Sequence, residues 1–124
     1  MASLGNEVFD SGLGYIDTNG TRLDITSQEA TTYSEATTAG TFSLGSKTGL
    51  NVGAPADRGG GGREVTVPAI SDGTVSTNGT ATHWAITDGT SVLIATGSLA
   101  ASQSVTATNT FTLTSFTIGI PDPA

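Results

Sequence analysis

The sequence predicts an all-β fold: an antiparallel β-sandwich, jelly-roll or immunoglobulin-like, with a short N-terminal helix. Three observations predict it. Thr, Ser, Gly and Ala fill much of a chain that is 35% hydrophobic and 12% charged, a mixture suited to pleated sheets and tight turns rather than helices. Stretches of alternating apolar and polar residues recur from Thr21 onward. Turn dipeptides separate these stretches at about 8–12-residue spacing, the rhythm of a sandwich or barrel.

The elements follow in order. In SLGNEVFDSGLGYI, residues 3–16, Leu4, Val8, Phe9, Leu13 and Ile16 recur at helical spacing, with Ser3 as N-cap and Glu7 near the positive end of the dipole. Gly12 and Gly14 each cost about 1 kcal/mol against alanine, so this helix needs docking. It would plug an open end of the sandwich or lie on an outer edge. Asn19-Gly20 then turns the chain. TRLDIT, residues 21–26, sets Leu23 and Ile25 on one face and Arg22, Asp24 and Thr26 on the other. Residues 27–40 lack a period and read as a long loop. TFSL, Thr41 to Leu44, alternates again, and residues 45–62 read as a second long loop.

EVTVPAI, Glu64 to Ile70, alternates through Val65 and Val67. Pro68 has no N–H for a ladder, so this strand lies on an edge or bends there. Asp72-Gly73, Asn78-Gly79 and Asp88-Gly89 read as turns. TATHWAIT between the last two points Trp84 and Ile86 one way and His83 the other. SVLIATG, Ser91 to Gly97, is continuously apolar at its centre, as a strand covered on both faces would be. SQSVTA follows. Phe111 and Leu113 have odd parity, but Phe116, Ile118 and Ile120 are even. One unbroken strand cannot hold both sets on one face, so a bulge or break is expected near Ser115. Pro121 and Pro123 end the chain.

At 124 residues there is room for one domain, 1–124. The net charge of −7 with four Lys and Arg cannot build a basic face for nucleic acid or an anionic membrane. No cysteine is present, which removes disulfides, thiolate metal sites and cysteine nucleophiles. MASLGNEVFD lacks the basic start and apolar run of a signal peptide, and no stretch approaches a membrane span.

Catalytic chemistry is not indicated. DRGGGGRE, Asp57 to Glu64, lacks the Lys-Ser or Lys-Thr of a phosphate cradle and opens a strand, not a helix. It reads as a flexible loop or as a contact loop. In the second reading its arginines follow a neighbour's surface and pair with carboxylates. His83 is alone, with no second ligand for a metal, and no G-x-S-x-G elbow marks a serine. Asp57, Asp72 and Asp88 read as turn residues, and Trp84 as core. No catalytic, cofactor-binding or metal residue is assigned. The partner-contact candidates are Arg58, Gly59, Gly60, Gly61, Gly62 and Arg63, with Arg22 and Lys47.

One stretch carries a resemblance. Thr82-His83-Trp84-Ala85-Ile86, then LIATGSL from Leu93 to Leu99, then Val105-Thr106 and Asn109 to Leu113, resemble a family of small virion structural proteins of tailed bacteriophages, head-decoration or tail-fibre-like. The N-terminal helix, Leu23-Asp24-Ile25-Thr26 and GAPADR…GREVTV (Gly53 to Val67) fit the same pattern. Asp24 departs from the more apolar first strand of that pattern. The resemblance implies a non-enzymatic β-domain of a virion, binding the major capsid protein or another virion protein and forming homo-oligomers on the particle. A capsid decoration or cement protein comes first, a tail-fibre or tail-tip component second, and a carbohydrate-binding module third.

Overall fold

A computed structural model describes residues 6–59 and 61–120, with side chains from Ser11 onward. Helix α1, Asn6–Asn19, opens the chain. It runs further than the expected 3–16 because Gly20 N–H closes the last turn on the Ile16 carbonyl at 2.8 Å. A Cβ at Gly20 would stand 2.5 Å from that same oxygen, so only glycine allows this close. Leu13 and Ile16 are buried as the periodicity requires. Ser3 and Leu4, and the side chains of Glu7, Val8 and Phe9, lie outside the described residues.

Among the described residues nine strands follow: β1 Arg22–Thr26, β2 Ser43–Thr48, β3 Ala56–Asp57, β4 Arg63–Val67, β5 Ile70–Val75, β6 Gly79–Thr87, β7 Leu93–Val105, β8 Thr110–Leu113 and β9 Phe116–Ile120. All pairings between them are antiparallel. Six form a curled sheet in the order β7-β6-β1-β2-β5-β8, and three form a small sheet, β3-β4-β9. The predicted all-β class with a short N-terminal helix is the observed one. One apolar core joins the sheets and α1 through Leu13, Leu23, Ile25, Val65, Val67, Ile86 and Phe111. No described helix is long and apolar enough to cross a membrane.

The sheets are joined by one bent ribbon. β4 and β5 run antiparallel to β9 and β8, and Val67↔Phe116 and Ile70↔Leu113 belong to the same register. Pro68 interrupts one strand, where it removes a ladder donor, and Thr114-Ser115 interrupts the other at the same level. The parity break expected near Ser115 is this corner. Phe111 and Leu113 face the core from the large sheet, and Phe116 and Ile118 pack against it from the small one.

Several expectations need correction. Residues 27–40 are not a bare loop, because Tyr33–Thr37 forms helix α2. Thr32 caps it by accepting a bond from Glu35 N–H, while Glu35 Oε1 reaches back to Thr31 N–H at 2.9 Å, in the manner of a capping box. Ala36 and Ala30 then pack on Ala85 of β6, covering the outer face of the large sheet. Asp24 and Thr26 are accordingly not exposed; both are fully buried beneath this cover. Residues 45–62 are also more ordered than a loop. β2 runs to Thr48, Leu50 and Val52 enter the core, and β3 pairs with β4.

Asp72-Gly73 is not a turn but lies inside β5, at a register shift against β8. Gly73 is required there because a Cβ would stand 2.3 Å from the Phe111 ring. SVLIATG is not covered on both faces. It lies in β7, an edge strand, and its apolar centre is only half-buried. SQSVTA is largely the continuation of that strand. Asp88-Gly89 does close the β6–β7 hairpin, whereas Asn78-Gly79 leads β5 into β6 without pairing them.

Candidate functional site

The glycine run is the tip of the β3–β4 hairpin, between Asp57↔Arg63 and the strands beyond. Arg58 N–H donates to the Gly62 carbonyl and Gly61 N–H to the Arg58 carbonyl, each at 3.1 Å. Gly61 and Gly62 have φ of 108° and 89°, the left-handed region that excludes most side chains. Gly59 is exposed, and Gly60 lies outside the described residues. Both arginines turn onto their own hairpin. Arg58 Nη1 donates to the Gly61 carbonyl at 3.2 Å, and its stem lies over Gly119 of β9. Arg63 Nη1 meets Asp57 Oδ1 at 2.6 Å, and Nη2 reaches the Pro55 carbonyl. A partner at this hairpin would compete with those bonds.

Arg22 and Lys47 are separate from it and from each other. In the β1–β2 register Arg22 stands opposite Thr48 and Lys47 opposite Leu23, so the two cations leave opposite faces of the sheet. Lys47 Nζ pairs with Asp72 Oδ2 at 3.0 Å, an exposed pair. Arg22 makes a two-pronged pair with Asp24, Nε to Oδ1 at 2.7 Å and Nη2 to Oδ2 at 3.0 Å. Ser43 Oγ donates to Asp24 Oδ2 at 2.7 Å, and Arg22 Nη2 also donates to the Thr37 carbonyl at the end of α2. Burial pushes the Asp24 carboxyl up, and the bonds from Arg22 and Ser43 pull it back only in part. This cluster ties α2 to the sheet.

A cleft lies where none of these residues is. The large sheet curls without closing, and its two edge strands, β7 and β8, face each other across a cleft of about 700 Å³. Trp84 and Phe116 form its apolar floor, ring centroids 4.7 Å apart. Leu99, Leu113 and Ala100 extend it, and Gln103, Thr112 and Thr117 give it neutral polar groups. Gly97 lets β7 lie directly on the indole, since a Cβ there would stand 2.6 Å from Trp84 Cζ2. Among the described residues, no ionisable side chain lines the cleft. A single polar link crosses it among the described residues: Gln103 Nε2 donates to the Thr112 carbonyl at 2.9 Å.

Sequence reasoning placed Trp84 in the core and did not mark the cleft or its other lining residues. The signal for them was weak: β7 carries extra residues against β6, where Ala81↔Gln103 is followed by His83↔Ser98. That irregularity swings residues 99–102 toward the seam, and it has no local signature in the sequence.

Among the described residues, the cleft offers an aromatic floor and neutral polar groups. His83 Nδ1 lies 2.8 Å from Thr82 Oγ1, and His83 stands opposite Thr26 in the β1–β6 register. Among the described residues, no three His, Asp or Glu side chains converge as metal ligands. No protein-family model, curated protein or solved structure matches the chain.

Proposed function

We propose that the chain is a non-enzymatic structural protein of a tailed-phage virion, a capsid decoration or cement protein that binds the major capsid protein and forms homo-oligomers on the particle surface. The reading starts from the resemblance at Thr82–Leu113 and is supported by an all-β fold. The observation that carries it is the unclosed seam. A cleft of about 700 Å³ with an aromatic floor and no charged lining is suited to contact rather than to reaction. The domain also gains stability from any partner that binds only its folded form.

Quantitative mass spectrometry of purified particles tests the proposal. Hundreds of copies per particle are expected. A few to a few dozen would place the chain in the tail fibre or tail tip instead. Absence from particles would end the virion reading.

A further inference from the structure

The seam leaves β7 and β8 as two sheet edges with no partner strand among the described residues. Gln103 of β7 links the two edges. Its amide donates to the Thr112 carbonyl, a main-chain acceptor on the free edge of β8. In the interior of a sheet that carbonyl would receive a main-chain N–H from the next strand.

We propose that an extended segment of a different polypeptide adds as a strand between β7 and β8, displaces the Gln103 amide from the Thr112 carbonyl, and seats an apolar side chain on Trp84 and Phe116. Strand addition of this kind draws affinity from main-chain bonds and specificity from the pocket beneath. Charge selects the partner. The cleft itself is neutral, so the central residues of the segment are uncharged. The chain carries −7, which disfavours an acidic segment and favours one flanked by Lys or Arg. The inference rests on the contact role proposed above. Copy number tests the particle and peptide titration tests the cleft, so either can fail alone.

Trp84 is the only tryptophan, so its emission reports the cleft directly. The probe is an acetylated, amidated peptide, Lys-Thr-Val-Leu-Val-Thr-Lys. It should change Trp84 emission saturably. The same peptide with proline for both valines should not bind, having lost ladder donors, and glutamate for both lysines should weaken binding about tenfold. The Gln103→Ala variant should bind the lysine peptide roughly threefold to tenfold more tightly, because the internal competitor for Thr112 is gone. A purely structural role for Gln103 predicts no such gain. Equal binding of the proline or glutamate peptide, or no saturable change, would overturn the proposal. So would looser binding by a Gln103→Ala protein that melts like the wild type, or dimerisation that blocks the peptide. If that variant does not fold, the three peptides on the wild-type chain decide.

Discussion

The large sheet has a finished flank and an unfinished one. At β1, between β6 and β2, both faces are covered, and four of five residues are fully buried. At β7 and β8 the same sheet ends in edges, and β7 is half-buried along most of its length. The difference lies in what covers each flank. Residues 27–42 fold over β1 and supply α2 with Ala30 and Ala36, and Ser43 at the start of β2 bonds Asp24, so a charged pair can be held under the cover. Nothing among the described residues covers the seam, and its lining is neutral. A closed flank punishes any change of volume or charge; an open flank can give way into its cleft. Substitutions on the two sides separate these cases.

The largest effect is expected at Asp24. Asp24→Ala leaves the Arg22 guanidinium, still bonded at Thr37, without its carboxylate, and removes the acceptor for Ser43. Breaking one partner of a buried pair costs several kcal/mol; with Arg22 partly exposed, about 3 kcal/mol is expected in urea unfolding. A loss below about 1 kcal/mol would mean that the cover does not depend on this cluster.

A pair of glycines contrasts the flanks directly. A Cβ at Gly45 of β2 would meet the Thr74 carbonyl oxygen at 2.5 Å and Val75 Cα at 3.0 Å, both main chain. A Cβ at Gly97 of β7 would meet the Trp84 ring at 2.6 Å, a side chain beside an empty cleft. Gly45→Ala should cost about 3 kcal/mol and Gly97→Ala about 1 kcal/mol, with a shift in tryptophan emission only for the second. Equal costs would show that the seam is as rigid as the flank.

How much of this was legible in the sequence follows the same division. Parity placed Leu23, Ile25, Trp84 and Ile86 in the core, and the parity conflict at Ser115 located the corner between sheets, because alternation is a local property of extended chain. Local signals did not reveal that Asp24 and Thr26 are buried. Their cover comes from an aperiodic, Thr-rich segment whose helix has only five residues, and its trace is the Thr32-to-Glu35 spacing of a capping box. Asp72-Gly73 looked like a turn because Asp-Gly is one in most hairpins; here the glycine is needed by a ring from another strand. The seam was illegible for a further reason. Which strands become edges depends on pairings between distant residues, as between β1 and β6.

A smaller, opposite effect is expected at Thr26. Its buried Oγ1 has no hydrogen-bond partner among the described residues. Thr26→Val keeps the shape and removes the unpaired hydroxyl, so it should stabilise the protein by about 1 kcal/mol, read as a higher denaturant midpoint at unchanged slope. Destabilisation would imply that the hydroxyl is satisfied in solution.

The smallest effect belongs to the hairpin that brings β7 back from the closed flank. Asp88 Oδ1 accepts from the N–H groups of Thr90, Ser91 and Val92 at 2.9–3.0 Å, and these bonds hold its carboxyl below the usual carboxylate range. Because the folded value is depressed, the ionised form favours the native state. That contribution is fully present above the unfolded value near 3.8 and is lost as pH falls through the folded value below it. Asp88→Ala should therefore lower the melting temperature at neutral pH, and the gap to wild type should narrow on acidification below pH ~4. Burial shifts Asp24 the opposite way, so its ionisation costs stability as pH rises through its raised folded value. An Asp88→Ala gap that stayed constant across the acid range would show that the side chain acts through turn shape alone. The open flank would then be anchored by backbone conformation, with Gly89 at φ 76° as its fixed point, rather than by charge.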